Sequence, residues 1–360
     1  MIGVLNVATN NPIRLNADDL FSSKVESYLE EQAALRHDMP EAEARPLLIR
    51  VIYSSYFYLS LAGAIGALAG WGILEGQMHD FEVHQRSFSI AVLLLFPTVA
   101  GFVGLFLGAS EGLMCRNIPR ALISSVVGLA VGFVGGLVIL IPVGIVYSIM
   151  SNWALQIAKP GPGERLHGIG FLVLMMGRGA AWAIAAIPAG LGQGIALREK
   201  KVVVNGLLGA VLGGLLGGLA FDPIDAMFSS ARDASVSRAV GFALIGIMVG
   251  LFVGLVEQWT KTAWLLMKAG PLTGKQFVLY RNPTVIGSAP KADIYIFKDP
   301  DIEPRHALLH NRGGRFELED LGTKDGTYVN GVPVTKRILQ AGDQIVIGKT
   351  LLEFSLKESN

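Results

Sequence analysis

Six stretches of this chain contain no Asp, Glu, Lys or Arg: Val51–Leu74, Phe88–Ser110, Ala121–Met150, Gly179–Leu197, Val202–Phe221 and Ala239–Val256. Each runs for about 18 residues or more, and a helix needs about 17–25 apolar residues to cross the hydrocarbon of a bilayer. In lipid every backbone N–H and C=O must be satisfied within the segment, so runs of this length read as transmembrane helices. The whole composition agrees. Of 360 residues, 51% are hydrophobic and only 16% charged, against about 25% charged in ordinary soluble chains. The net charge of +1 offers no basic excess for nucleic acid. The single cysteine, Cys115, excludes a disulfide framework within the chain.

The fourth run is the ambiguous one. Gly168–Gly177 is also apolar, and Arg178 separates it from the rest. A charge at mid-bilayer costs a few kcal/mol or more, so the expectation is an interfacial segment followed by a short span. Met1–Asn16 lacks the basic and apolar regions of a signal peptide. Ala17–His37 reads as an amphipathic helix, with Leu20, Val25, Leu29 and Leu35 among charged residues.

Orientation follows from Lys and Arg near the helix ends. With the N-terminus in the cytoplasm, Arg36, Arg45, Arg50, Arg116, Arg120, Arg198, Lys200, Lys201, Lys261 and Lys268 fall on the inner side. Arg86, Lys159, Arg165, Arg178, Arg232 and Arg238 fall on the outer side, over longer loops. This bias places both termini in the cytoplasm, and the expected location is a bacterial inner membrane. The chain divides into a cytoplasmic N-terminal segment (1–50), a six-helix transmembrane domain (51–260) and a C-terminal domain (261–360).

The membrane part reads as repeated hairpins, helices 1–2, 3–4 and 5–6. Gly108, Gly112, Arg116, Gly132, Gly135 and Gly136 recur 82 residues later as Gly190, Gly194, Arg198, Gly214, Gly217 and Gly218. Gly104-Leu-Phe-Leu-Gly108 with Glu111 recurs as Gly250-Leu-Phe-Val-Gly254 with Glu257, and Gln193 takes the corresponding place in the middle hairpin. Glycine at four-residue spacing makes flat helix faces on which backbones approach closely. Such stripes point to a compact bundle; in the further reading of a homo-oligomer or a larger membrane assembly they would be partly exposed to partner subunits. Glu111, Gln193 and Glu257 fall near the inner end of each even helix, away from the midplane where transporters usually place their sites. His79, Asp80, Glu82 and His84 have zinc-compatible chemistry but no compact ligand spacing. They read as a solvated polar loop, with no metal and no cofactor expected.

From about Ala263 the pattern changes to short β-rich runs punctuated by Gly, Pro and Asn. Trp264–Lys268, Lys275–Tyr280, Thr284–Gly287, Asp293–Phe297, His306–His310, Arg315–Glu319, Thr327–Val329, Gln344–Ile347 and Thr350–Phe354 predict a β-sandwich. Six marks stand in order along it: Val285-Ile286-Gly287, Ala292-Asp293-Ile294, Arg305-His306-Ala307, Asp320-Leu321-Gly322-Thr323, Gly326-Thr327-Tyr328-Val329-Asn330-Gly331 and Gly342-Asp343-Gln344-Ile345.

With these marks, residues 264–360 resemble a forkhead-associated (FHA) domain. The resemblance implies an eleven-stranded sandwich whose apical loops bind phosphothreonine peptides, in adaptors of Ser/Thr kinase signalling. It implies candidate peptide-binding loops at Ser288, Glu303, Arg305, Lys324, Asp325 and Asn330. Gly287, His306, Gly326, Thr327 and Gly331 become structural supports. Three positions depart from the family. Ser288 stands where an Arg is usual, Glu303 where a Ser is usual, and Lys324-Asp325 where Thr-Asn is usual. Phosphothreonine carries about −1.5 to −2 charge, so losing an Arg removes a bidentate donor. Glu303 and Asp325 add like charge. Lys324, Arg305 and Lys291 compensate in part, a lysine acting as a point charge.

No P-loop, G-x-S-x-G, H-E-x-x-H or kinase signature occurs, so no enzymatic activity is expected. The reading is a membrane-anchored interaction and signalling adaptor. It presents a cytoplasmic FHA-like domain to a protein partner, with the lipid bilayer as its other contact and no nucleic acid. The alternative is a transporter or channel component regulated by that domain.

Overall fold

The computed structural model describes residues 40–42, 46–76, 90–161, 164, 166–228 and 235–357. The amphipathic stretch 17–37 and the loop with His79, Asp80, Glu82 and His84 lie outside these residues. Among them are eight helices followed by eleven strands.

The helices are α1 (Leu47–Ile52), α2 (Ser55–Glu75), α3 (Ile90–Met114), α4 (Ile118–Ala158), α5 (Gly168–Ala185), α6 (Ile187–Leu197), α7 (Lys200–Phe228) and α8 (Ser235–Thr260). Counting α5 and α6 together, they provide six rods long and apolar enough to cross a membrane. The rods form a closed ring. α2 packs on α3, α3 on α4, α4 on α5 and α6, these on α7, α7 on α8, and α8 back on α2.

Glycines make those contacts. A Cβ on Gly63 would strike the carbonyl of Gly246, and one on Gly250 that of Leu59, where α8 closes on α2. Gly108 lies against Ser124 and Gly190 against Gly206; Gly112 against Ala121 and Gly194 against Val203; Gly132 against Ala100 and Gly214 against Trp182. In each pair of contacts, both partners are offset by 82 residues. Arg116 and Arg198 share that offset, and both take a left-handed backbone (φ 52° and 56°) where their helices end. Small residues of this kind let helix backbones approach to van der Waals contact.

The region around Arg178 corrects an expectation. The apolar stretch 168–177 is not a separate segment, because α5 runs through Arg178 without a break. The charge is compensated inside the bundle. Arg178 Nε lies 3.0 Å from Asp222 Oδ1 of α7. Its guanidinium donates to the Tyr147 hydroxyl (3.1 Å) and stacks over Phe221, 4.9 Å from the ring centre. The chain is instead offset at Ala186, where Pro188 opens α6. Proline cannot continue the hydrogen-bond ladder of a preceding helix but fits a first turn.

The eleven strands are β1 (Ala263–Ala269), β2 (Gln276–Val278), β3 (Thr284–Gly287), β4 (Ile294–Tyr295), β5 (Ala307–Arg312), β6 (Arg315–Asp320), β7 (Thr327–Val329), β8 (Val332–Val334), β9 (Lys336–Leu339), β10 (Gln344–Ile347) and β11 (Thr350–Leu356). They form a six-stranded sheet, β2-β1-β11-β10-β7-β8, and a five-stranded sheet, β4-β3-β5-β6-β9. β1 alternates strictly between buried and half-buried residues, as a strand with one face in a core must. Leu265, Met267, Ile286, Leu309, Leu318, Ile345 and Phe354 are buried between the sheets. β8 and β9 are strands that the sequence pattern does not announce. Only Lys261 and Thr262 separate α8 from β1, so the sandwich sits directly on one end of the ring.

Candidate functional site

Two sites are built from the residues singled out by sequence. The first is the apex of the sandwich, where the β3–β4, β4–β5 and β6–β7 loops meet. Gly287 ends β3 against the carbonyl of Pro304, and any side chain there would collide with it. His306, fully buried, ties the loops together. Its Nδ1 accepts from the Glu303 amide (3.2 Å), which puts the ring proton on Nε2. Nε2 then faces the Gly326 carbonyl (3.1 Å) and the Thr323 hydroxyl (3.0 Å).

Asp320 is the second tie. It accepts from the amides of Gly322 (2.8 Å) and Thr323 (3.1 Å), and from the hydroxyls of Thr323 (2.8 Å) and Thr327 (2.7 Å). Partial burial pulls its carboxyl up. The hydrogen bonds outweigh that and hold it below the usual aspartate range.

On this frame Glu303, Arg305, Lys324, Asp325 and Asn330 are exposed, and Ser288 is half-buried. The polar groups that face inward are already engaged. Ser288 Oγ donates to the Ile302 carbonyl (2.7 Å), and Glu303 Oε1 accepts from the Lys324 amide (3.1 Å). Asn330, in a left-handed turn with Gly331 (φ 54° and 79°), donates to Asp343 Oδ1 (2.7 Å) and accepts from the Gln344 amide (2.8 Å). The groups left outward are the cationic ends of Arg305 and Lys324 and the carboxylate of Asp325.

The second site lies where the sandwich meets the ring. Glu111, Gln193 and Glu257, one from each hairpin, line one cavity of about 50 Å³. Lys275, immediately before β2, lines it from the other side and is buried to 3% exposure. Its ammonium lies 4.6 Å from the ring centre of Tyr58 and 3.4 Å from that hydroxyl. Burial alone would pull the Lys275 ammonium down. Glu111, with Cys115 and Glu257, more than offsets this and raises it above the ordinary lysine range.

Around this cavity the two domains are joined by directed bonds. Asn117 Nδ2 donates to the Pro290 carbonyl (2.8 Å) and Arg120 to the Asp293 carbonyl (3.0 Å). Arg281 bridges Glu199 (3.1 Å), the Leu197 carbonyl (2.8 Å) and Asp293 (3.0 Å). Cys115 is buried within the apolar cluster of the sandwich. Lys275, Arg281, Asn117 and Tyr58 escaped sequence reading, because each matters through a contact with the other domain. The ring interior is different in kind. Its void, about 30 Å³, is walled by Ala67, Phe96, Val99, Val103, Trp182, Ile245 and other apolar residues.

The family model of the FHA domain matches residues 284–348. The chain is 41% identical over 93 residues to an oxoglutarate dehydrogenase inhibitor of Corynebacterium efficiens, covering 26% of this chain and 65% of that one. It thus spans just under two thirds of that relative's length. It is 38% identical over 129 residues to the glycogen accumulation regulator GarA of Mycobacterium tuberculosis, covering 36% of this chain and 74% of the relative. A solved FHA structure, studied for phosphothreonine-dependent FHA domain interactions, is 25% identical. It covers 28% of this chain and all of its own, with a TM-score of 0.26.

Proposed function

This chain belongs, through its C-terminal domain, to the FHA family, and from that premise we propose that it is a membrane-anchored adaptor. The helix ring holds the FHA domain at the cytoplasmic face of a bacterial inner membrane, and the domain's apex recruits a protein partner carrying phosphothreonine. The carrying observation is the apex itself. Buried His306 and Asp320 fix its loops, while Arg305 and Lys324 stand exposed on them. Those two cations take over the charge neutralisation that the Ser288 position no longer supplies. Anchoring is supported by the outward apolar side chains of α4, including Val138 and Ile141, both 73% exposed. A surface of that kind belongs in lipid rather than in water. The apolar ring interior favours an anchor over a solute path. No catalytic role is assigned to any residue.

The test is a titration of the full chain in detergent micelles with matched phosphothreonine and unphosphorylated peptide pools, at two salt concentrations. Selective binding that weakens with salt, and falls about tenfold or more in Lys324→Ala, is expected. Equal affinity for the two pools would overturn the phosphothreonine reading.

A further inference from the structure

The three hairpins deliver Glu111, Gln193 and Glu257 to one mouth of the ring, and the residue that enters that mouth belongs to the other domain. Two carboxylates at a mouth covered by protein are costly unless a cation answers them. Lys275 is the buried one among the cations that line the cavity, which also include Arg120 and Arg281. The hairpin between β1 and β2 fixes its position, with Met267 N donating to the Lys275 carbonyl (3.0 Å) and Gly274 N to the Met267 carbonyl (2.8 Å). A long, flexible side chain has thus been made a positioned peg. Buried charges of this sort add little net stability compared with apolar residues of the same volume, and their best-attested use is to specify register. Here the register is that of one whole domain on another.

We propose that Lys275 is an electrostatic latch: buried in the cavity that Glu111, Gln193 and Glu257 line, it selects the docked position of the FHA domain and closes that mouth of the helix ring. The surrounding bonds, Asn117 to Pro290, Arg120 to Asp293 and Arg281 to Glu199, lie at the rim and align the domain. The charge pairing at the centre decides between docked and released. Removing the ammonium leaves Glu111 and Glu257 in that cavity without their buried counter-charge, and their repulsion falls when the domain lifts and more water surrounds them.

The chain carries its own reporter. Cys115, the single cysteine, is 6% exposed and packs into the sandwich's apolar cluster just beside the latch. The experiment is the rate of maleimide labelling of Cys115 in the full chain under native conditions, with no engineered cysteine. Lys275→Met is expected to raise the rate at least tenfold. The triple variant Lys275→Met, Glu111→Gln, Glu257→Gln removes the unanswered charges along with the cation. It is expected to return the rate to within about threefold of the parent. Labelling of Lys275→Met at the parent's rate would overturn the latch. So would a triple variant as reactive as the single one, since the single variant's effect would then be lost packing or misfolding rather than charge.

Discussion

Replacing Asp320 by alanine removes the acceptor for four hydrogen bonds at once, and their environments set the expected cost. Gly322 is exposed, so its amide recovers a bond to water. Thr323 is half-buried and keeps His306 as a neighbour. Thr327 is 1% exposed, and its hydroxyl is left without an acceptor. That last group alone costs about 1–3 kcal/mol. The other bonds, each made to an ionised oxygen, are worth about 1.5–3 kcal/mol individually but share one carboxylate and do not add. A total near 3 kcal/mol follows, or about two decades in the opening equilibrium. Hydrogen-exchange mass spectrometry on the β10–β11 segment reads this domain separately from the helices. Asp320→Ala is expected to exchange there about a hundredfold faster, and Asp320→Asn, which keeps one acceptor oxygen, to fall between. The acid limb has a definite sign. The folded carboxyl lies below the usual value of about 3.9, so its contribution is full above that pH. It is lost as pH falls through the depressed folded value, and Asp320→Asn should flatten this decline. A less than threefold change in Asp320→Ala would refute the assignment of Asp320 as the frame of the apex.

The helix ring gives a paired contrast: a Cβ on Gly250 would strike the Leu59 backbone, whereas one on Gly144 meets nothing within 4 Å. Gly250→Ala is therefore expected to lose about 1–3 kcal/mol in thermal unfolding in detergent, and Gly144→Ala to be neutral or gain about 0.5–1 kcal/mol of helix propensity. At the ion pair, Arg178→Leu removes the Arg178 guanidinium from Asp222 and is expected to cost about 3 kcal/mol or more by the same measurement. Arg178→Leu with Asp222→Asn should recover a large part of that loss.

The charge-free runs were a sound guide to the helices but not to their ends. The run Ala121–Met150 stops before Lys159, yet α4 continues through Ser151, Asn152 and Gln156 to Ala158, because uncharged polar residues do not end a helix. Arg178 looked like an interruption because its compensation, Asp222, lies 44 residues further on in another helix. In the sandwich, the proline at the centre of β8, Val332-Pro333-Val334, demotes a strand reading, and β9 begins Lys336-Arg337 without the β-branched alternation that betrays a strand. The apical residues were legible because family marks fix their order along the chain. The convergence of Glu111, Gln193 and Glu257 on Lys275 was only half legible. Spacing placed the three together, but nothing local distinguishes Lys275 from any lysine before a strand.

The closed ring also dictates an order of manufacture. Helix α2 is the first rod of the ring to leave the ribosome, yet one of its two flanks is completed only by α8, made last, through Gly63 with Gly246 and Leu59 with Gly250. Until then that small-residue face has no backbone to meet. The mouth that receives Lys275 needs Glu111 and Glu257 together, so it too exists only after the last helix is seated. The sandwich, synthesised after every helix, therefore finds its seat only on a finished ring. Its docking marks a chain whose helix ring is complete, and a chain truncated or stalled before α8 offers the quality-control machinery an open seam.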